Sequence, residues 1–600
     1  MTTRSIAGWT AVLTLGPVLA AFSAPPGTND RYSAASTGTE GPQVPVALAW
    51  GRDGMLRVAL RDARQIAVVD VATGRVAGRT PLPFRPSSLA SGSEGADLLV
   101  GGTEGELLAV GPRGQTALLA ANGKGAVRVV VLPKGRAAVV TPWERALRVV
   151  DTSEPRVIRS IPLPFGPGAI VAREGGRLVV AEAFGGRIAA VDPETGRVLV
   201  RVLDGVNLFA LALSGDGKEL LVGHMAQFGN VPVTSTNIDW GLVLSSRLSA
   251  VRLAELDRDD PALAGVAVPR RRLTLDGSRH GAADPSALAV SRDGTVVMIA
   301  LSGAHQVLKN DRTRGSRERE SADLLSLGHN QGLEVVEVGR SPTDLLLDPS
   351  GESVVTADSM SDTLTVVDVR DLSVVRTIRL GADPPRRSVS QRGEAAFLDG
   401  RHGLDRWMSC ASCHARGHTN GLNFDTLGDG GYGAAKNTPT LLGVGPTAPF
   451  AWTGQFRSLA GQVHQSLRTS LHGPSTDEPT SEEIAAYLQT LAPPPPLRIA
   501  DDPAVLRGAR VFESRRCQVC HRPPSYTTAG TRDVGLDDGA GGHRTFNPPS
   551  LRGVGWSAPY FHDGRASTLD AVLKTHPPGT TTSPLSTAER GDLAAFLEAL

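Results

Sequence analysis

A chain of 600 residues contains only four cysteines, and all four lie in two Cys-x-x-Cys-His runs, Cys410 to His414 and Cys517 to His521. In such a run the two thiols add across the vinyl groups of a haem, and the histidine that follows becomes the proximal ligand of its iron. Cys410, Cys413, Cys517 and Cys520 are therefore read as the attachment points of two covalent c-type haems, with His414 and His521 as axial ligands. Two disulfides, a redox dithiol or a zinc ion bound by thiolates and imidazoles are the competing readings. None of them requires a histidine directly after the second cysteine, twice.

The rest of the chain divides around these runs. From about residue 46 to 385 it repeats with a period near 40, the length of a four-stranded propeller blade. Val68-Val69-Asp70 ahead of Thr73-Gly74-Arg75-Val76 recurs as Val191-Asp192 ahead of Thr195-Gly196-Arg197-Val198. Pro81-Leu82-Pro83-Phe84 returns as Pro162-Leu163-Pro164-Phe165. Turns at Asp53-Gly54, Asp216-Gly217, Asp293-Gly294 and Ser350-Gly351 supply the positive φ that hairpins need. Strand starts near Val46, Ser87, Val127, Gly168, Leu208, Pro285 and Thr343 predict about seven blades, the fifth and sixth enlarged by insertions. The insertion from His224 through Trp240 to Leu253 is read as a binding loop or as a lid on the haem-bearing part. His224, His280, His305 and His329 are spread over separate blades and are read as surface or satisfied side chains, not as a metal site.

After Pro384 and Pro385 the pattern becomes helical and is duplicated. Arg392-Gly393-Glu394-Ala395-Ala396-Phe397 precedes the first run as Arg507-Gly508-Ala509-Arg510-Val511-Phe512 precedes the second. Asn437-Thr438-Pro439-Thr440-Leu441 matches Asn547-Pro548-Pro549-Ser550-Leu551. Ala448-Pro449-Phe450 with Gly454 matches Ala558-Pro559-Tyr560 with Gly564. Each copy closes on an amphipathic helix, Ile484, Tyr487, Leu488, Leu491 in one and Leu593, Phe596, Leu597, Leu600 in the other. Capping boxes at Thr480 with Glu483 and at Ser586 with Glu589 are predicted to open these helices. The predicted architecture is multidomain: a signal peptide over 1–23, a linker over 24–45, an all-β propeller over 46–385, and two tandem all-α cytochrome c domains over 386–497 and 498–600.

The duplicated segments resemble the bacterial di-haem cytochrome c peroxidases and their relatives in methylamine utilisation, over roughly residues 386 to 600. The first half is similar to YVTN-type propellers. The resemblance implies two haem c groups, electron transfer coupled to peroxidase-like oxidation at the first haem, and hydrogen peroxide together with a small cytochrome or cupredoxin as partners. Aligned with that family, His576 falls at the distal position of the second, electron-transfer haem. For the first haem, His464 and His472 are the candidate sixth ligands, His418 being too near His414 to reach the opposite face. The positions aligned with the family's distal glutamine and glutamate fall near Phe450 and Ala460, neither of which has acid–base chemistry. Trp452 and Trp556 are expected in corresponding places in the two copies. The loops Asp425 to Gly433 and Asp533 to Gly542 are candidates for a calcium ion. The alternative is a non-enzymatic di-haem electron carrier whose propeller binds a partner.

Composition and the N-terminus bound the setting. Lys+Arg 62 against Asp+Glu 61 leaves a formal charge of +1, with no pull toward nucleic acid. Arg4, an apolar stretch from Ile6 to Phe22, and Ala21 and Ser23 ahead of Ala24 read as a secretory signal cleaved after Ser23. A periplasmic address with no integral membrane span after cleavage is expected; an uncleaved anchor is the competing reading.

Overall fold

The computed structural model describes residues 41–600 apart from 94–95, 112–115, 120–122, 155, 264, 266–269, 278–279, 314–332, 382–385, 475–477, 540–541 and 577–582. The expected signal segment and His329 lie outside the described residues. No helix among the described residues is long and apolar enough to cross a membrane.

Seven four-stranded antiparallel sheets follow one another along the chain, each made of four consecutive strands. Their innermost strands, Pro45–Trp50, Pro86–Ser93, Arg128–Leu132, Pro167–Ala172, Val206–Leu213, Pro285–Val290 and Pro342–Leu347, start close to the expected positions. Five of the seven open on proline, which fixes φ and donates nothing to the ladder, so it is tolerated at a strand's first residue. The ring closes without a strand exchanged between its ends. Blades one and seven share a core of Leu48, Leu56, Val58 and Leu60 with Val355, Ala357, Leu364 and Val366. Backbone donors seal the seam: Leu48 N donates to Asp344 Oδ2 (2.8 Å), and Gln43 N and Val44 N donate to the two oxygens of Asp362 (3.0 Å each).

Helix α1 (Ser235–Asp239) lies in the long insertion of blade five, and α2 (Leu253–Leu256) follows that blade's third strand. The haem-run region begins with α3 (Val389–Phe397) and the short α4 (Cys410–Cys413), then α5 (Leu459–Thr469) and α6 (Glu478–Gln489). Its second copy supplies α7 (Pro503–Ser514), α8 (Leu569–Thr575) and α9 (Thr587–Glu598). Ser586 and Glu589 form the expected capping box at α9. Thr480, by contrast, lies inside α6, which begins at Glu478 among the described residues.

In each copy the first helix crosses the last at a glycine. A Cβ on Gly393 would lie 1.8 Å from Glu483 O, and one on Gly508 2.0 Å from Asp592 O. Only glycine lets the backbones approach so closely. An arginine–carboxylate pair flanks each crossing, Arg392 Nε to Glu483 Oε1 at 2.5 Å and Arg507 Nη2 to Asp592 Oδ1 at 2.7 Å.

The copies then exchange hydrogen bonds. Asn437 Nδ2 donates to Pro559 O (2.6 Å) and Asn547 Nδ2 to Pro449 O (2.5 Å). The Asn437 backbone N–H donates to His562 O and that of Asn547 to Trp452 O. This reciprocity makes the two copies a pseudo-symmetric pair, and it explains why the Asn and Ala-Pro segments occur in both.

Candidate functional site

A continuous cavity of about 610 Å3 runs between the copies and reaches both Cys-x-x-Cys-His runs. All four cysteines lie on its wall, unpaired, which removes the disulfide reading. Burial, then the charge of Asp284, pushes the Cys410 thiol up to about 12; burial pushes Cys517 up to about 11 and raises Cys413 as well. A redox dithiol needs the opposite shift.

Both proximal candidates are held the same way. His414 Nδ1 donates to Pro439 O (3.1 Å) and His521 Nδ1 to Tyr526 O (3.1 Å). Each bond fixes the tautomer and leaves Nε2 for a ligand. Burial lowers both rings to a pKa of about 4, so they are neutral near pH 7.

Across the cavity the copies differ. His576, at the end of α8, has its ring centre 6.4 Å from that of His521. Two imidazoles bound through nitrogen to opposite sides of one metal ion, at bonds of about 2 Å, put their centres roughly 6.3 Å apart. The pair therefore fits the two axial positions of one haem. Counted from the helix caps Ser458 and Thr568, the residue matching His576 in the first copy is Ser466.

No other histidine of the first copy reaches the cavity wall. His464 is on α5, but the cavity face of that helix carries Leu459, Gln462, Val463 and Ser466. His472 is bound to the propeller insertion, its Nε2 donating to Val233 O (2.7 Å) and its Nδ1 accepting from Ser235 Oγ (3.2 Å). His418 is also occupied: Nε2 donates to Trp556 O (3.1 Å) and Nδ1 accepts from Thr440 Oγ1 (2.8 Å). It packs edge-on to the stacked pair Trp143 and Phe184 of the propeller, not against the cavity.

Gln462 is the polar group that the sequence reading missed. Its Nε2 donates to Ser466 Oγ (3.1 Å), and its Oε1 is buried without a partner. Helical spacing from Leu459 was the available signal, since i, i+3, i+4 and i+7 select Leu459, Gln462, Val463 and Ser466. The aromatic correspondence also differs from expectation. The counterpart of Trp452 is His562, which is buried and stacked on Phe546 at 4.0 Å, and Trp556 packs edge-on to Trp143 of the propeller.

The propeller helps to build the first half of the cavity. Val233 and Val243 of the blade-five insertion line it. The insertion shares a core with Trp407, Met408 and Phe424, which favours the lid reading of this segment. Asp284, at the start of blade six, accepts from Ser409 Oγ and Ser412 Oγ (2.6 Å each) around α4. Asn207 Nδ2 donates to Ser412 O (2.9 Å). Asp399 takes His305 Nε2 at 3.0 Å and Arg340 at 3.0 Å, and Glu394 takes both Arg61 amines. His224 is satisfied inside blade five by Ser249 Oγ and Met225 O. His280 is exposed, and no metal-like cluster forms in the propeller among the described residues.

The acidic loops considered for calcium do converge, with ligand atoms of Asp429, Asp538 and His543 within 4.8 Å of one another. The cation between the carboxylates is Lys436, whose Nζ lies 2.6 Å from Asp429 Oδ2 and 3.3 Å from Asp538 Oδ2. His543 Nε2 donates to Asp429 O (3.2 Å), which leaves only the nitrogen lone pair of Nδ1, and calcium takes oxygen ligands. The cluster does not fit a calcium ion, which requires six or more oxygens about it.

With this geometry in place, comparison with known proteins adds a family. Residues 389–492 match the family model described as di-haem cytochrome c peroxidase. The methylamine utilization protein MauG of Methylorubrum extorquens is 26% identical over 314 residues, covering 42% of this chain and 89% of its own length. Hydrazine synthase subunit gamma of Kuenenia stuttgartiensis is 29% identical over 284 residues, covering 37% and 80%. Among solved structures, Kuenenia stuttgartiensis hydrazine synthase is similar at 21% identity and a TM-score of 0.49, over 57% of this chain and 100% of that one. Residues 389–492 thus carry a domain of the di-haem cytochrome c peroxidase type, which follows a seven-bladed propeller, and haem c is the cofactor that this family implies.

Proposed function

We propose that the protein is an exported, periplasmic di-haem oxidoreductase in which the first haem reacts with a peroxide-type oxidant and the second relays electrons. The observation that carries this reading is the difference at one helical position, His576 in the second copy and Ser466 in the first, with the Gln462 amide beside the latter.

Cys410, Cys413 and His414 would hold one haem c, and Cys517, Cys520, His521 and His576 the other. Haem c supplies a redox-active iron that binds an oxidant only where a coordination position is left open. In the second copy His521 and His576 would hold the haem from both sides, which would suit electron transfer without exchange of ligands. In the first copy no second imidazole reaches across the cavity. Gln462 is placed to orient an incoming oxygen donor: its unpartnered Oε1 accepts from an O–H, and Ser466 holds the amide plane through Nε2. Val233, Val243 and the aromatic wall of Phe424 and Phe450 exclude bulk water from that side, strengthening such a hydrogen bond.

The propeller acts as scaffold and lid. Its Asp284 and Asn207 clamp the α4 turn that carries Cys410 and Cys413, and a small cytochrome or cupredoxin is the class of electron partner that fits. Lys436, not calcium, joins the acidic loops.

Stopped-flow mixing of the fully haem-loaded protein with hydrogen peroxide tests the proposal. The expected result is a rapid spectral change in one haem, slowed in Gln462→Leu. Two haems that both ignore peroxide would make the chain an electron carrier.

A further inference from the structure

The two Cys-x-x-Cys-His runs differ in what covers them. In the first, Ser409 and Ser412 are fully buried beneath the propeller, whose Asp284 takes both hydroxyls (2.6 Å each) while Asn207 donates to Ser412 O. Ala415, just past His414, is 1% exposed. Aligning the runs residue by residue puts Arg516, Val519 and Arg522 at the places of Ser409, Ser412 and Ala415, and the matching Asn segments put Arg552 at that of Leu442. Among the described residues no propeller residue bonds to 516–522. Val519 is 42% exposed, and Arg516, Arg522 and Arg552 are exposed as well.

Short bonds draw these residues to one face. Val519 N donates to Arg516 O (3.1 Å); Tyr526 O accepts from both His521 Nδ1 (3.1 Å) and Leu551 N (3.3 Å), which brings the residues before Arg522 and Arg552 to a single acceptor. Arg516, Val519 and Arg552 also share the cavity wall with Cys517 and Cys520. The face is strongly positive: residues 507–532 contain six arginines and one acidic residue, Glu513. Arg507 and Arg515 are paired with Asp592 and Glu589 of α9. Arg516, Arg522 and Arg552 form no ion pair among the described residues.

We propose that Arg516, Val519, Arg522 and Arg552 form the docking face for a small electron-transfer protein whose own face is acidic around an apolar centre. The inference rests on the reading of the second haem as the electron relay, and adds the chemistry of the partner's surface. An apolar centre within a polar rim is the makeup of a protein interface, and electron-transfer encounters bury little area, so a patch of this size suffices. Opposite charges steer the approach and set the orientation. In the first copy a propeller carboxylate occupies the place opposite Ser409; in the second a carboxylate of the partner would meet Arg516 there.

The test is titration of the haem-loaded protein into fluorescently labelled plastocyanin, a cupredoxin with an acidic face, carrying zinc in place of copper so that no electron moves. Association is then read whether or not either haem reacts with peroxide, so a failure here is separable from a failure of the proposed function. Wild type should bind saturably at low ionic strength and lose affinity as salt is added. Arg516→Glu and Arg522→Glu should each weaken binding about tenfold or more, because like charges then face each other. Arg292→Glu, at an exposed turn of blade six, makes the same change in net charge and should leave the affinity as it is. If Arg516→Glu does not fold, Arg522→Glu decides. No saturable binding by wild type overturns the proposal, as does an affinity that both variants leave unchanged. Equal weakening by Arg292→Glu also overturns it, since net charge and not this face would then be responsible. So does a concentration-dependent dimer of this chain that the same two variants abolish, which would make the face a contact between copies.

Discussion

In the first copy, α5 turns Leu459, Gln462, Val463 and Ser466 toward the cavity; in the second, α8 turns Leu569, Val572 and Leu573 to it and ends on His576. Almost everything around these helices is shared: the glycine crossings, the flanking ion pairs, the exchanged asparagine bonds and the Nδ1 anchors of the proximal histidines. Duplication has thus preserved the frame while one helix face separates the two sites. On the proposed reading, the imidazole on the second would hold its haem from the far side, where the amide and hydroxyl on the first would leave room for an exogenous ligand. The propeller deepens the difference, because its insertion and Asp284 contact the first copy's cavity wall and attachment turn.

Exchanging the differing residue should give the largest effect. Ser466→His places an imidazole where the second copy has one, and peroxide reactivity should fall by about two orders of magnitude or more, the scale of a lost catalytic group. Stopped-flow spectroscopy reads this, and an unchanged rate would break the comparison. Gln462→Leu should slow the peroxide reaction by about tenfold to a hundredfold, the loss expected for one oriented hydrogen bond. The spin states of both haems in that variant should remain those of wild type.

Two further variants sharpen what is common to the copies. Gly393→Ala and Gly508→Ala should each cost about 2–3 kcal/mol, because a Cβ meets a carbonyl oxygen of the crossing helix in both. Thermal unfolding that separated them widely would argue against equivalent frames. Smallest is Lys436→Met, which leaves Asp429 and Asp538 facing each other without a cation and should cost about 1–3 kcal/mol. The Tm of wild type should be the same in calcium and in a chelator.

Much of this frame was legible in the sequence for local reasons. Strand ends such as Val68-Val69-Asp70 and the Asp-Gly turns repeat because every blade solves the same hairpin problem, so the repeat alone points to about seven blades. The paired Asn and Ala-Pro segments were visible as motifs, yet their bonds run from one copy to the other over 122 positions at Asn437 and 98 at Asn547, and no local pattern encodes that exchange. Gln462 belongs to no motif shared with a remote family, and only the helix face set by Leu459 brings it to the cavity. His464 and His472 lie away from the cavity wall for different reasons: one is off the cavity face of α5, and the other is captured by Val233 of an insertion whose docking no periodicity reveals. Lys436 is a single charge in an ordinary stretch, and only the fold brings it to its partners.

Electron paramagnetic resonance of the ferric, fully haem-loaded protein tests the central claim most directly. The account predicts one low-spin signal, lost in His576→Ala, beside one high-spin signal from the haem at His414. Two low-spin signals in the wild type would contradict it.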